Sequence, residues 1–445
     1  MVRICIMADP IARLDRRELM AGLGTAVLAP ALPRIAAAQA RTALALQAKA
    51  GPIALRPGAP DTPVWSLQGG PDRHFRFRRG DQLEITLGNE LPGPAVLNWH
   101  GIAAPAAEPL AARAPLAPGA SESVVIPLRQ AGTFMCDLRL LGDAQARPSA
   151  ARAVVVAESE PVAVDRDEVM LIEDWRLRSD GSAIAPGIDP GDTKPVYTVN
   201  GLISPDIPVR THERVRFRFI NGCQRAVVGV KIETHEVRVM ALDSQPAEPF
   251  LARAGAIVLA PGARADVFID AAVQPRSPSN ILLHDGTESH PVGRLVASSE
   301  PPLRNSPLPA AAPLPSNGLP GQFDLKNALR FDVALGGRTP TDWVRPASFA
   351  VSTAPAFRAK AGRAVVLALT NRAELPIVFH LHGHHFRLLD RLDDGWKPFW
   401  LDTLAIGAGQ TQRIAFAAEH AGRWLLESMA SDWAAPRLVR WYSVE

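Results

Sequence analysis

Four histidines stand within six positions of the stretch FHLHGHHFRLLD, residues 379–390. Imidazole is the most general protein ligand for copper, zinc and iron, so His380, His382, His384 and His385 first raise the chemistry of a metal site. On an extended strand residues i and i+2 project to one face. His380 and His382 can therefore serve one site together, whereas His385 faces the opposite side from His384. Other chemistry is thin. There is no GxSxG elbow, phosphate-binding glycine loop or CxxC, and His284, Asp285 and His290 lie close in sequence without the turn a serine nucleophile needs.

A repeat at long period positions these histidines. RRGDQLEITLGN (78–89), RTHERVRFRFIN (210–221) and AKAGRAVVLALTN (359–371) each alternate apolar and polar residues into an asparagine, at Asn89, Asn221 and Asn371. Gly80 and Gly362 occupy the same place ahead of their asparagines, and His212 takes it in the middle copy. Carrying the register forward puts His100 of NWHG level with His382 of HLHG. A second matched pair follows, Gly119 with Gly132 and Gly409 with Gly422, with a counterpart in IVLAPGARADVFID, residues 257–270. Copies one and three share the histidine positions and copy two does not. The site is expected between the first and last domains, with the middle one as spacer.

The 445 residues suit two to four domains, and 33 Gly, 41 Pro and recurrent alternating runs suit a large β protein with many turns. We expect an all-β chain of three Greek-key β-sandwich domains at 41–157, 158–300 and 323–445, with a Pro-rich linker at 301–322. The net charge of +3 offers no case for nucleic acid or a polybasic membrane anchor. RHFRFRRG (73–80) and HERVRFRF (212–219) read as strands with one face in the core and arginines on the wet face. Residues 1–40 carry Arg16 and Arg17, a mildly apolar stretch and AQA at 38–40, the form of a twin-arginine export signal. Cleavage near Ala40 would release a periplasmic protein with no transmembrane anchor. Cys5 would leave with the signal, and Cys136 and Cys223 are expected as buried free thiols.

Taken together, GxxxxxxLxN before the histidine strand, PGARADV at 261–267, HLHGHHF at 380–386 and GRW at 422–424 make the chain resemble a three-domain multicopper oxidase built of cupredoxin-type sandwiches. The resemblance spans residues 50–445. It implies a blue copper held by two His, a Cys and an axial Met, and a trinuclear cluster held by four His-x-His pairs. Carried over by position, the first pair reads Asn98 and His100, and the second reads Asp137 and Arg139. The third is intact as His380 and His382. Ile377 stands where the family has a blue-copper histidine. Glu427, Ser428 and Met429 replace His-Cys-His, Trp433 replaces a further His, and Leu438 stands for the axial Met.

The resemblance thus implies that only His100, His380 and His382 persist as ligands. No cofactor is the first expectation, with Asp137, Arg139 and Glu427 forming an ionic network in the old cavity. The rival is one Cu, Zn or Fe ion held by the three histidines with Asp137 or Glu427. His384 and His385 are expected to be structural or solvent-facing. The functional expectation is an exported, catalytically silent, monomeric envelope protein with a periplasmic protein partner, resembling the copper-free cell-division proteins of the SufI (FtsP) type. The enzyme alternative is a metal-dependent oxidoreductase. Capture of a small organic ligand in the cleft between domains one and three is a third possibility without specific sequence support.

Replacing Arg16 and Arg17 together by lysine is expected to leave precursor in the cytoplasm, and N-terminal sequencing of the exported form should begin near Arg41. Unchanged export of the double-lysine chain would rule the assignment out.

Overall fold

Alternation of apolar and polar residues makes strands, and this chain makes them almost exclusively. The computed structural model describes residues 41–445 apart from 71–72, 142–146, 275, 338–341, 352 and 391–394. The export-signal assignment, on residues 1–40, lies outside the described residues. Among those described, helix is limited to short turns such as Pro105–Ala107 and Pro346–Ser348, and no helix is long and apolar enough to cross a membrane.

The strands form three sandwiches with one wiring. In the first, a sheet ordered Thr62–Gln68, Arg41–Ile53, Gln82–Asn89, Ser121–Pro127 shares a core with a sheet ordered Phe75–Arg78, Ala151–Ala157, Gly132–Leu140, Ala95–His100. Arg41–Ile53 runs parallel to Gln82–Asn89, and Phe75–Arg78 parallel to Ala151–Ala157. The same two parallel pairings recur as Arg166–Arg176 with Arg214–Asn221 and Asp206–Val209 with Ser289–Ala297. They recur again as Leu329–Leu335 with Ala364–Asn371 and Arg358–Ala359 with Arg437–Val444. Parallel neighbours cannot be joined by a hairpin, so each domain must cross over between sheets, as Greek-key sandwiches do.

The repeated asparagine is explained by one hydrogen-bond pattern made three times. The Asn89 amide donates to the carbonyls of Gly93 and Leu116 at 3.0 and 2.8 Å, and its oxygen accepts the Leu91 N–H at 3.0 Å. Asn221 repeats this with Ala226, Leu259 and Cys223, and Asn371 with Leu375, Ile406 and Ala373. Only an amide can donate twice and accept once here, which is why the strand ends on Asn. The turn ahead of each strand is also shared: Gly80 and Gly362 have φ of 97° and 79°, and His212 adopts 62° in the middle copy. That left-handed position suits glycine, so the histidine holds it at a steric cost.

The two arginine-rich strands behave differently. Phe75–Arg78 buries its phenylalanines and exposes its arginines, as expected. Arg214–Asn221 is buried along its whole length, which corrects the expectation of arginines on a wet face. Arg216 bonds Asp266 and Glu158, while Arg218 bonds Asp167, Asp266 and the Thr133 hydroxyl of the first domain. Neighbouring domains cover this face, and paired carboxylates make the buried charge tolerable. The stretch 301–322 forms no strand. It is fastened by Arg304 to Asp165 and by the Asn317 amide to the carbonyls of Ala131 and Ser244. Cys136 and Cys223 are buried free thiols.

Asn221→Asp removes two donated bonds and sets a carboxylate against two carbonyls. It is expected to cost about 2–3 kcal/mol in equilibrium urea unfolding. A loss as small as that of an exposed substitution would remove the structural role assigned to this amide.

Candidate functional site

Pairing between strands brings the candidate residues together two at a time. Asn98 lies opposite Asp137 across the pair Ala95–His100 and Gly132–Leu140, and His380 lies opposite Glu427 across Ile377–Leu381 and Gly422–Ala430. Two-residue spacing then puts Asp137 and Arg139 on one face. The first and third sandwiches meet on these faces. The rings of His100 and His380 have centroids 4.8 Å apart, and those of His380 and His382 are 4.6 Å apart.

The Arg139 guanidinium occupies the centre. It donates to Asp137 Oδ2 at 2.6 Å and Oδ1 at 3.2 Å, pairs with Glu427, and lies 3.4 Å from His100 Nε2. Arg437 donates to the other Glu427 oxygen at 2.7 Å. His100 Nε2 is 2.7 Å from Asp137 Oδ1 and 3.0 Å from the Asn98 amide nitrogen. Its Nδ1 is buried against Gly262, where a Cβ would stand 2.8 Å away. His382 Nδ1 is 2.8 Å from Glu108 Oε1, and its Nε2 is 3.4 Å from Glu427 Oε1, within ion-pair reach but outside hydrogen-bond geometry. His380 Nδ1 meets the Thr403 hydroxyl at 2.8 Å, and its Nε2 is buried without a hydrogen-bond partner.

These contacts set the charges. Burial alone would raise the Asp137 carboxyl, but the Arg139 charge and His100 outweigh it and hold it well below the usual carboxylate range. Glu427 is likewise held low against its burial by Arg139, Arg437 and His382. Burial would lower His382, yet Glu108 and Glu427 push it up to about 9, so it is an imidazolium at neutral pH. Burial leads in pulling His100 and His380 down, and both are neutral imidazoles. A metal at His382 would have to displace the imidazolium proton to gain a lone pair.

A second buried ion pair supports the histidine strand. Arg264 of the middle domain donates to both oxygens of Asp402, at 2.9 and 2.6 Å, and Asp402 Oδ1 accepts the Thr403 hydroxyl that meets His380. Asp243 accepts the backbone N–H groups of Asp402 and Thr403. Burial would raise Asp402, but Arg264 and His380 hold it low, whereas burial and the charge of Asp402 raise Asp243.

The other positions carried over from the resemblance are apolar or engaged elsewhere. Ile377 lies in the core of the third sandwich and Leu438 packs against it. Met429 joins the core of the second sandwich. Ser428 is buried, and the Trp433 indole donates to the Ala185 carbonyl at 3.1 Å. His384 and His385 are both buried, which removes the solvent-facing alternative. His384 bonds the Tyr442 hydroxyl on one side, and His385 bonds the Asp243 carbonyl on the other. Among the described residues no group of three or more His, Cys, Asp or Glu side chains has an arrangement suited to a metal ion.

Sequence reasoning missed Glu108, Arg264, Asp402 and Arg437. Glu108 carried a readable signal, being a single acid in the apolar loop GIAAPAAEPLAA after the histidine strand. Arg437 carried none, because its partner is defined only by the strand pair that brings it to Glu427.

Three cupredoxin-like sandwiches, the first and third meeting on a histidine face, define a multicopper oxidase architecture. Multicopper oxidase family models match residues 55–145, 169–287 and 322–445, and the chain belongs to this family. It is similar to the multicopper oxidase MmcO of Mycobacterium tuberculosis, 23% identical over 417 residues that cover 80% of this chain and 78% of that protein. Its fold matches the multi-copper oxidase of Pseudomonas thermotolerans with a TM-score of 0.77 at 24% identity, covering 92% of this chain and 100% of the other. Lac15 from a marine microbial metagenome matches with a TM-score of 0.72 at 25% identity, covering 91% of this chain and 100% of that one.

Arg264→Met leaves Asp402 and Asp243 without their cation and is expected to cost about 3–5 kcal/mol in equilibrium unfolding. A cost below about 1 kcal/mol, the range of an exposed pair, would show that this clamp does not carry the strand.

Proposed function

We propose that this chain is an exported multicopper-oxidase relative that has given up copper and acts by binding rather than by catalysis. One observation carries the reading: the Arg139 guanidinium lies between Asp137 and Glu427, beside His100 Nε2, where a fixed positive charge opposes a cation. The donor set does not fit the family's copper centres. Ile377, Ser428, Trp433 and Leu438 offer no thiolate, imidazole or thioether for a blue copper, His100 is bonded to Asp137, and His382 is protonated. With no centre to collect single electrons, no route remains for the family's oxidation chemistry. The Arg16–Arg17 pair and the AQA at 38–40 in the sequence support export and a periplasmic location. The loss of ligand positions supports a role like that of the SufI (FtsP) type, as a monomeric envelope scaffold for a periplasmic protein partner.

A second reading is favoured by the free Nε2 of His380, buried beside the rings of His100 and His382. There a single Cu, Zn or Fe ion would sit with Asp137 or Glu427 and make the chain a metal-binding protein or oxidoreductase.

Chain purified from the periplasm and incubated with Cu²⁺, Zn²⁺ or Fe²⁺ in turn is expected to retain no stoichiometric metal, to lack the intense band of a Cys–copper bond, and to oxidise neither phenols nor cuprous ion above free metal. Arg139→Gln, which removes the opposing charge, should raise zinc affinity. About one metal per chain, lost on changing His380 and His382 to Ala and accompanied by turnover, would sink the copper-free reading and establish the second.

A further inference from the structure

Next to the histidine network lies a cleft of about 540 Å³, within the usual range for a small-molecule site. Asp137 and Arg139 form part of its wall, and the exposed residues Ile188 and Arg345 also line it, so solvent reaches it. All three domains contribute: Arg139 from the first, Arg225 from the second, Arg345 and Arg437 from the third.

Its charge is one-sided. Among the described residues that line the cleft, four are arginines and Asp137 is the sole carboxylate. Glu427 lies just behind it, bonded to Arg139 and Arg437. Those two carboxylates account for Arg139 and Arg437. Arg225 and Arg345 form no direct ion pair with a carboxylate among the described residues, although Asp174 and Glu427 attract Arg225 from farther off.

Arg225 is the informative one, since it is only 5% exposed. Its guanidinium donates to the carbonyls of Gln224 and Ala435 and to no carboxylate. Burial, followed by the nearby charge of Arg437, pushes it down to about 9, so it remains charged at neutral pH. A buried cation bonded only to carbonyls, with Asp174 and Glu427 acting on it from beyond ion-pair distance, lacks the directly bonded counter-ion that normally makes such burial tolerable. An anion entering the cleft would supply it, and guanidiniums match oxyanions in hydrogen-bond geometry. The remaining wall includes Leu141, Pro186, Ile188, Pro346 and Pro436, which suit an apolar body.

We propose that this cleft binds a small organic oxyanion, a carboxylate or phosphate ester carrying an apolar group, with Arg225 and Arg345 as its counter-charges. The inference rests on the copper-free reading, because Arg139 helps to form the wall.

The test is calorimetric titration of the chain purified from the periplasm, at low salt, with phenyl phosphate, benzoate, inorganic phosphate and, as the neutral control, benzyl alcohol. Expected is saturable one-to-one binding of phenyl phosphate or benzoate, tighter than inorganic phosphate, absent for benzyl alcohol and weakened by added salt. Which of the two aromatic anions binds tighter distinguishes phosphate from carboxylate recognition. Arg345→Gln, at an exposed position that leaves folding intact, should weaken binding about tenfold, and folded Arg225→Gln by at least as much. Equal affinity in Arg345→Gln, or no saturable binding of either anion, overturns the assignment. Metal content of the same samples separates the two readings. Metal-free chain that binds neither anion overturns the cleft assignment alone, while anion binding seen only with about one metal per chain overturns both.

Discussion

The Arg139 guanidinium ties Asp137 on its own strand to Glu427 on a strand of the third domain, and the candidate site is organised around it. With its charge in place, both carboxylates remain ionised in a buried setting. Ionised Asp137 fixes the orientation of His100, and ionised Glu427 helps to keep His382 protonated. The buried centre then balances, with Arg139, Arg437 and His382 set against Asp137, Glu427 and Glu108. A buried ionic network is tolerable only when it is paired this closely, because each unpaired charge would cost several kcal/mol.

The rest of the fold holds the two faces of that network in register. The repeated asparagines close the same turn in each sandwich, so the strands that carry His100 and His382 start from equivalent anchors. From the middle domain, Arg264 reaches Asp402 beneath the histidine strand, and Gly262 closes over the His100 ring. Arg216 pairs with Glu158 at the start of the middle domain, and Arg218 pairs with Asp167 on a neighbouring strand and reaches Thr133 of the first domain. These contacts use polar side chains in places that a single sandwich would leave to water.

On the copper-free reading, one geometry explains how the architecture survives without its metals. The strands depend on apolar alternation and on backbone pairing, neither of which depends on the side chains at the metal-facing positions. A cation cluster at the junction of domains one and three supplies positive charge, and Arg139 with Arg437 supplies it from side chains instead. The surplus guanidiniums then lie on the open side of the junction, where the anion cleft is proposed.

Alternation, the spaced asparagines and the histidine register were enough to read three sandwiches and to place His100 with His380 and His382, because strand geometry is local and a repeat copies it. Which residues stand at the family's ligand positions is what the sequence resemblance implies. The sequence by itself did not determine that the Arg214–Asn221 strand is buried on both faces, because alternation describes one sheet and not what the next domain lays upon it. Nor did it determine the protonation of His382 or the carbonyl-only hydrogen bonding of the Arg225 guanidinium. Those depend on Glu108, Glu427 and Ala435 arriving from separated parts of the chain, and burial and Coulomb interactions act across space without regard to sequence distance.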